Sequence, residues 1–269
     1  VSTNLPLSLS SFVGRDGDVE RLLAALEAHR LVTLTGVGGV GKTRLSVQVA
    51  ADASHRYPRG VWFVELAPVR VGDAVPYRFL ETLGLDSAVG RTPLQTVATA
   101  VGQDAVLMVV DNCEHVPSEA ASAVSELLTA CPNLLVIATS RRTLGVAGER
   151  VHPIAPLGVS GPSSPSARLF LDRSSAARAD VDLDNHLHVI EDICVRLDGV
   201  PLAIELAAAR SRSMSPVDIA DRLDERFRLL TASRVSDGED RHKTLLSTIE
   251  WSYDLLDSEQ KLLLRSEEH

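Results

Sequence analysis

The sequence is poor in cysteine, in aromatic residues and in positive charge. Its 269 residues include three cysteines, Cys113, Cys131 and Cys194, which form no CxxC pair, so a disulfide or zinc scaffold is excluded. Lys and Arg number 27 against 36 Asp and Glu, a formal net charge of −9, which disfavours binding to nucleic acid by bulk charge. No apolar run approaches the roughly 20 residues of a membrane helix, and no signal-peptide pattern occurs. We therefore expect a cytoplasmic protein without a membrane partner.

Two common hydrolase motifs are also missing. The eight histidines show no HExxH spacing, and no G-x-S-x-G elbow occurs. The hydrophobic fraction of 45% is enough for one large or two modest domains with a real core. Because the chain begins with Val1 and ends in an apparent helix at Leu262–Leu264, we expect it to be a piece of a longer protein.

Short apolar runs alternate with helical patterns in the first part of the chain. These runs predict buried strands at Leu31–Thr35, Val61–Leu66, Ala105–Val110 and Leu134–Thr139, with a further short strand near Val151–Ile154. Such an alternation indicates an α/β fold, a parallel sheet with helices on both faces. Before the first strand, Asp18 is expected to cap a helix.

The strands stop at a Gly-, Pro- and Ser-rich stretch, Gly158–Ser166. Helical patterns follow: Leu187, Ile190, Cys194 and Leu197 mark one helix that ends near Gly199, and further helices are expected at about Pro201–Arg210 and Pro216–Leu230. We therefore expect a linker over residues 1–11, an α/β nucleotide-binding domain over 12–157 and a small all-α subdomain over 158–231. Residues 232–269 are expected to form a loop and the start of a third unit.

A phosphate-binding motif follows the first strand. It reads Gly36-Val37-Gly38-Gly39-Val40-Gly41-Lys42-Thr43 and satisfies G-x-x-x-x-G-K-[ST], the P-loop. The glycines let successive backbone N–H groups surround phosphate oxygens at a helix N-terminus. Lys42 can reach the β- and γ-phosphates, and the Thr43 hydroxyl can ligate Mg²⁺.

The same residues also satisfy the dinucleotide fingerprint G-x-G-x-x-G, through Gly36, Gly38 and Gly41. Glu65 stands about where an acid that binds the ribose would fall. A dinucleotide site does not require Lys-Thr after the last glycine, nor an acid after a later apolar strand. Asp111 is such an acid, a Walker B residue that would hold the metal or its waters, so we favour nucleoside triphosphate binding.

Residues beyond the P-loop bear on hydrolysis. Arg141, at the end of a predicted strand, could sense or neutralise a γ-phosphate. Asn112 follows Asp111 where many fast hydrolases carry Glu, and an amide cannot accept a proton from water at neutral pH. Glu114 is the nearest carboxylate that could replace that base, and His115 is a weaker candidate.

Together these motifs resemble the NB-ARC branch of the STAND signal-transduction ATPases. The closest similarity is to the nucleotide-binding module of large bacterial transcriptional regulators of the AfsR and LuxR types. The resemblance spans about residues 5–256 and rests on Phe12–Arg15, Gly36–Thr43, Val109–His115, Thr139–Arg141, Leu197–Ala203 and Thr248–Tyr253, in family order.

The resemblance implies a strand order and a nucleotide site. The strand before Arg141 would lie between the P-loop strand and the Asp111 strand. Phe12, Val13 and Arg15 would line the adenine, and Pro201 would close over it. Lys42, Asp111 and Arg141 would act in hydrolysis, with Thr43 and Asp111 as Mg²⁺ ligands. The expected nucleotide contacts of the loop are Gly36, Gly38, Gly39, Val40, Gly41, Lys42, Thr43 and Arg44. A unit beginning near His242 would open a winged-helix subdomain.

The function this implies is an ATP/ADP switch that hydrolyses slowly. ADP would hold the subdomains closed, and ATP with an upstream signal would open them for self-association. DNA would be bound only through a domain outside this chain. The alternative is a stand-alone P-loop enzyme, either a fast ATPase or a small-molecule kinase, but no lid or strong general base is evident. Direct DNA binding by this chain is disfavoured by its charge.

Overall fold

The computed structural model describes residues 2–7, 10–177 and 184–223. These residues divide into two compact units. The first contains the described residues up to 10 together with 15–37 and 41–155, and the second contains 11–14, 38–40 and the described residues from 156 onward. The predicted winged-helix start and the Thr248–Tyr253 block lie outside the described residues.

The first unit is built on a five-stranded parallel sheet. Its strands are β1 (Leu31–Thr35), β2 (Val61–Glu65), β3 (Val106–Asp111), β4 (Leu134–Ser140) and β5 (Glu149–Pro153). Their order across the sheet is β2-β3-β4-β1-β5, and every neighbouring pair is parallel. The predicted strands are confirmed with shifts of a residue or two at their ends. The order is confirmed as well, because β4, which precedes Arg141, lies between β1 and β3.

The inner strands β1, β3 and β4 are largely apolar and buried because helices cover the sheet, whereas the edge strand β5 is polar and partly exposed. The helices of the first unit are α1 (Asp16–Ala28), α2 (Lys42–Ala53), α3 (Val75–Thr82), α4 (Pro93–Val101) and α5 (Pro117–Ala130). Alternate β3 residues, Met108 and Val110, pack with α3, α4 and α5 in one core cluster. Since successive strand side chains point to opposite faces, Leu107 and Val109 face the other side, and all of β3 is buried.

The prediction that Asp18 caps α1 is wrong. The helix begins at Asp16 with Arg15 at the N-cap, and Asp18 lies within the first turn. Its carboxylate accepts hydrogen bonds from Arg15 at 2.9 Å and from Arg21 at 2.6 Å. Charge-assisted bonds to two guanidinium groups are stronger than a bond to a backbone amide, so the carboxylate turns toward the arginines.

The segment predicted as a linker contributes to the edge of the sheet. The carbonyl of Ser2 accepts a hydrogen bond from the amide of Val61 at 3.0 Å, and Thr3 forms a parallel bridge with Val61. The side chain of Asn4 bonds both the amide and the carbonyl of Phe63. These contacts satisfy backbone groups at the open edge of β2.

The second unit is helical, as far as the described residues show. It contains α6 (Pro165–Ala177), α7 (Leu187–Arg196) and α8 (Pro201–Ala208), and residues 216–223 are also helical. Its core includes Phe170, Ile190 and Ile204, all fully buried. The helices predicted around Leu187 and from Pro201 are confirmed, although α8 ends at Ala208 and continues as a single 3-10 turn.

A tight turn connects α7 and α8. The amides of Asp198 and Gly199 bond the carbonyls of Val195 and Cys194, both at 3.0 Å, which is the Schellman pattern. Both residues are left-handed, with φ of 51° and 66°. A Cβ on Gly199 would lie 2.1 Å from the carbonyl oxygen of Leu157, so only glycine fits there.

No helix in the described part of the chain is long and apolar enough to cross a membrane.

Candidate functional site

The P-loop leads directly into the N-terminus of α2. Gly41 is the N-cap, with φ of 94°, and no side chain caps the first turn of this 12-residue helix. The first turn also contains no acidic residue. Backbone N–H groups at such a terminus point outward and carry the positive end of the helix dipole, which is the arrangement that binds phosphate.

Lys42 lies over the loop that precedes it. The residue is 8% exposed, and its Nζ atom donates hydrogen bonds to the carbonyl oxygens of Gly36 at 2.9 Å and Val37 at 3.1 Å. Burial lowers the pKa of Lys42, while the negative charges of Glu114 and Asp111 raise it and the positive charge of Arg141 lowers it further. The ammonium group is therefore held by two loop carbonyls, and no carboxylate of the described residues lies within hydrogen-bond distance of it.

Asp111 is the centre of a small hydroxyl network at the end of β3. Its Oδ1 atom accepts hydrogen bonds from the hydroxyls of Thr43 at 2.7 Å and Thr139 at 2.5 Å. Burial raises the pKa of Asp111, and the two hydroxyl donors act in the opposite direction. The structure thus brings the P-loop threonine and the acid at the end of β3 into contact, as the motifs predict.

Thr139 was not among the site residues expected from the sequence. It is 1% exposed, and besides donating to Asp111 it accepts a hydrogen bond from the amide of Asn112 at 3.0 Å. That bond fixes the turn after β3, where Asn112 is left-handed with φ of 60°. One feature of the sequence could have indicated this role: Thr139 is a polar residue at the end of an otherwise apolar strand.

Arg141 and Glu114 meet beyond the ends of β4 and β3. The Nε atom of Arg141 lies 3.5 Å from Oε1 of Glu114. The Arg141 side chain is 57% exposed, whereas that of Glu114 is 16% exposed. His115, the weaker candidate for assisting hydrolysis, is exposed.

The other arginines predicted to contact the nucleotide are engaged in hydrogen bonds within the first unit. Arg15 is 8% exposed and bonds Asp18, so its guanidinium is committed to α1. Arg44 donates to both the carbonyl and the hydroxyl of Ser10 at 2.7 Å. These hydrogen bonds do not test whether Arg15 and Arg44 contact the nucleotide, so both contacts stay predictions.

The remaining predicted residues belong to the second unit. Val13 packs against the core of that unit, and Phe12 is half-buried. Gly38, Gly39 and Val40 are also assigned to it. The amide of Leu202, next to Pro201 at the start of α8, donates a hydrogen bond of 3.1 Å to the carbonyl of Gly39. The predicted adenine contacts of Phe12, Val13 and Pro201 stay predictions.

The strand order argues against the dinucleotide alternative. In a dinucleotide fold the second strand lies beside the first, which places its terminal acid at the ribose. Here β3 and β4 separate β2 from β1. Glu65 therefore pairs in register with Asp111, and two whole strands separate it from the P-loop strand.

The donor set fits a nucleotide with Mg²⁺. Thr43 and Asp111 supply a hydroxyl and a carboxylate oxygen, and Mg²⁺ is commonly bound by one or two such groups together with substrate phosphates. Within residues 2–7, 10–177 and 184–223 there is no cluster of three His, Cys, Asp or Glu residues that could hold a metal ion. One buried oxygen, Oε2 of Glu114, accepts no hydrogen bond from the described residues.

Comparison with known proteins agrees with this geometry. Residues 11–160, more than half of the chain, match the AAA ATPase domain family, and the chain belongs to that family. It is 43% identical over 243 residues to Rv0890c of Mycobacterium tuberculosis, a protein named as an HTH-type transcriptional regulator. It is 30% identical over 243 residues to the regulatory protein AfsR of Streptomyces griseus.

These matches cover 90% and 84% of this chain, which spans 27% and 24% of the two relatives, about a quarter of their length. A STAND protein with a tetratricopeptide repeat sensor, PH0952 from Pyrococcus horikoshii, has a similar fold. Its TM-score is 0.51 at 14% identity, over 84% of this chain and 34% of that one. The predicted resemblance is confirmed: this is a P-loop ATPase module similar to those of AfsR-type regulators.

Proposed function

We propose that the chain is an ATP- and ADP-binding switch and slow ATPase within a multidomain transcriptional regulator. The observation that carries the proposal is the contact of Thr43 with Asp111, with Lys42 and Arg141 acting electrostatically on the same site. A P-loop helix, a strand-end carboxylate and an arginine from the intervening strand are the parts that phosphoryl transfer needs.

Lys42, Thr43 and Asp111 would bind the phosphates and the metal. The Lys42 ammonium would exchange the carbonyls of Gly36 and Val37 for the β- and γ-phosphates. The oxygens of Thr43 and Asp111, 2.7 Å apart, would hold Mg²⁺, which neutralises phosphate charge when bound. Thr139 would keep the Asp111 carboxylate oriented through its hydrogen bond.

Slow hydrolysis follows from the side chains available to activate water. Asn112 is an amide and accepts no proton at neutral pH, so it could position water without acting as a base. Glu114 is paired with Arg141 at 3.5 Å. General-base assistance is typically worth about 10²–10⁴-fold, and its absence would leave turnover that relies on positioning and charge neutralisation.

The switch requires that the nucleotide contact two conformations of the protein differently. We propose phosphate contacts from Lys42 and Arg141, and base contacts from Val13 and Pro201, as that difference. ADP would favour the closed state, and ATP would favour opening and self-association. DNA binding would belong to another domain of the full protein, consistent with the names of the regulators that the chain resembles.

The proposal is tested by identifying bound nucleotide and by measuring turnover. Denaturing release followed by mass spectrometry should find ADP in the purified protein, and steady-state phosphate release should stay below ~1 s⁻¹, the lower end of typical enzymes. Finding NAD would support the dinucleotide alternative. A turnover above about 10 s⁻¹, the median for enzymes, would contradict the switch and favour a dedicated ATPase.

A further inference from the structure

We propose that Glu114 is a positioning residue that restrains Arg141 and thereby lowers the preference of the site for ATP over ADP. The inference rests on the proposed function. A γ-phosphate would have to compete with Glu114 for the Arg141 guanidinium, whereas ADP has no such group. Glu114 would therefore set the ratio of ATP to ADP affinity, rather than the affinity for nucleotide as such.

The backbone holds Glu114 firmly. It lies in a 3-10 turn, Cys113–His115, directly after β3. The left-handed Asn112 begins this turn, and its amide is bonded to the buried hydroxyl of Thr139. The Cys113 side chain is fully buried and lies 3.4 Å from the carbonyl of Val110. Glu114 therefore projects from a turn that is anchored on both β3 and β4.

The two members of the pair differ in their freedom to move. Glu114 is 16% exposed, and its Oε2 atom is buried without a hydrogen-bond donor among the described residues. Arg141 is 57% exposed and reaches Glu114 at 3.5 Å through Nε. With the carboxylate largely buried and the guanidinium largely exposed, the ion pair can open by rotation of the arginine side chain alone.

Glu114 also acts electrostatically on the phosphate-binding lysine. Its charge is the largest that raises the pKa of Lys42, ahead of Asp111, and Arg141 acts on Lys42 in the opposite sense. The charges of both members of the pair therefore act on the lysine that would bind the phosphates. Loss of the Glu114 charge would strengthen binding of ADP and ATP alike, and release of Arg141 would add a further gain for ATP only.

We expect the effect of Glu114 on the ratio of ATP to ADP affinity to be modest, because Arg141 is exposed. An ion pair of this kind changes an equilibrium constant by up to about fivefold. We therefore expect Glu114→Gln to raise the ratio of ATP to ADP affinity by about two- to fivefold. In the Arg141→Ala background the same substitution should leave that ratio unchanged, because there is no arginine to release.

The experiment is a double-mutant cycle in the whole chain, with ADP and a non-hydrolysable ATP analogue titrated calorimetrically in the presence of Mg²⁺. Arg142→Ala, a neighbouring exposed arginine, is the matched control and should behave as the wild type. Glu114→Asp, which keeps the charge but lengthens the ion pair, should raise the ratio in the same direction and provides a second test if Glu114→Gln folds poorly.

Two results would overturn the proposal. One is a change in the affinity ratio that is equally large without Arg141, which would indicate simple charge repulsion. The other is an unchanged ratio together with a fall in phosphate release of about 100-fold or more, which would make Glu114 a general base. Failure of the proposed function would look different, since wild-type protein would then bind neither nucleotide.

Discussion

Thr139 and Asp111 are joined by a hydrogen bond of 2.5 Å, from the hydroxyl at the end of β4 to the carboxylate at the end of β3. The same hydroxyl accepts the amide of Asn112, so one buried group links the acid, the turn that follows it and the adjacent strand. This network orients the proposed metal ligand.

Removing the Thr139 hydroxyl should destabilise the protein. Thr139→Val keeps the shape but leaves the Asn112 amide without its acceptor and removes one donor from Asp111, a cost of about 1–3 kcal/mol in free energy of unfolding. Urea denaturation measures it. Thr33 on the neighbouring strand is the matched control, because its buried hydroxyl has no partner among the described residues and Thr33→Val should cost nothing. Equal effects of the two substitutions would contradict the role given to Thr139.

Asp111 should lower the stability of the nucleotide-free protein at neutral pH. Burial raises its pKa above the ordinary 3.8, so the folded protein binds this proton more readily than the unfolded chain. Stability from this group is complete below the ordinary value and is lost as pH rises through the raised one. Asp111→Asn, which still accepts both threonine hydroxyls, should therefore stabilise the protein at pH 7 by on the order of 1 kcal/mol.

Denaturation between pH 4 and 8 should show the advantage of Asp111→Asn shrinking as pH falls toward 4. Asp218 provides a control of opposite sign, because hydrogen bonds from Ser215 lower its pKa. Asp218→Asn should destabilise the protein above pH 4, and the loss should diminish in acid. A pH-independent effect of Asp111→Asn would contradict the electrostatic account.

Asn112→Asp should increase hydrolysis. The position is left-handed, which Asn and Asp tolerate better than other residues with a side chain, so the turn should survive. A carboxylate there could accept a proton from water, and we expect phosphate release at saturating ATP to rise by about tenfold or more, within the range of general-base assistance. Asn112→Gly keeps the backbone without the base and should not accelerate release. A rate for Asn112→Asp no higher than wild type would count against the missing-base explanation.

Gly199→Ala should destabilise the second unit by more than the backbone strain of a left-handed alanine. Its added methyl would lie 2.1 Å from the Leu157 carbonyl in a left-handed residue, and we expect a loss of at least about 3 kcal/mol. Gly161 is a matched control, with φ of 88° and, its chain neighbours aside, no atom of the described residues within 4 Å of its added Cβ. Gly161→Ala should cost only about 1 kcal/mol of backbone strain. Thermal unfolding that ranks the two equally would contradict the packing argument.

The strands could be predicted well from the sequence because buried parallel strands consist of nearly continuous runs of apolar residues. The predicted bounds of β1, Leu31–Thr35, match the structure, and the P-loop follows β1, Asp111 ends β3 and Arg141 follows β4. The strand order came from the family resemblance, since spacing along the chain does not determine which strands pair.

The partners of individual side chains were harder to predict from the sequence. Asp18 precedes the apolar helical pattern as a cap would, yet it lies in the first turn of α1 and its carboxylate binds two arginines. Thr139 reads as one more strand residue until β4 is placed beside β3. The Glu114–Arg141 pair joins residues 27 positions apart and depends on the same pairing. Such contacts follow from topology and burial rather than from local pattern.

The central claim, that this P-loop binds ATP and ADP through Lys42, is tested most directly by titration calorimetry with both nucleotides on wild-type protein and Lys42→Ala. Among the described residues Lys42 bonds only carbonyls of its own loop, so the variant should unfold close to the wild-type temperature while its binding of either nucleotide becomes undetectable. A folded Lys42→Ala protein that binds ATP and ADP with unchanged affinity would contradict the account.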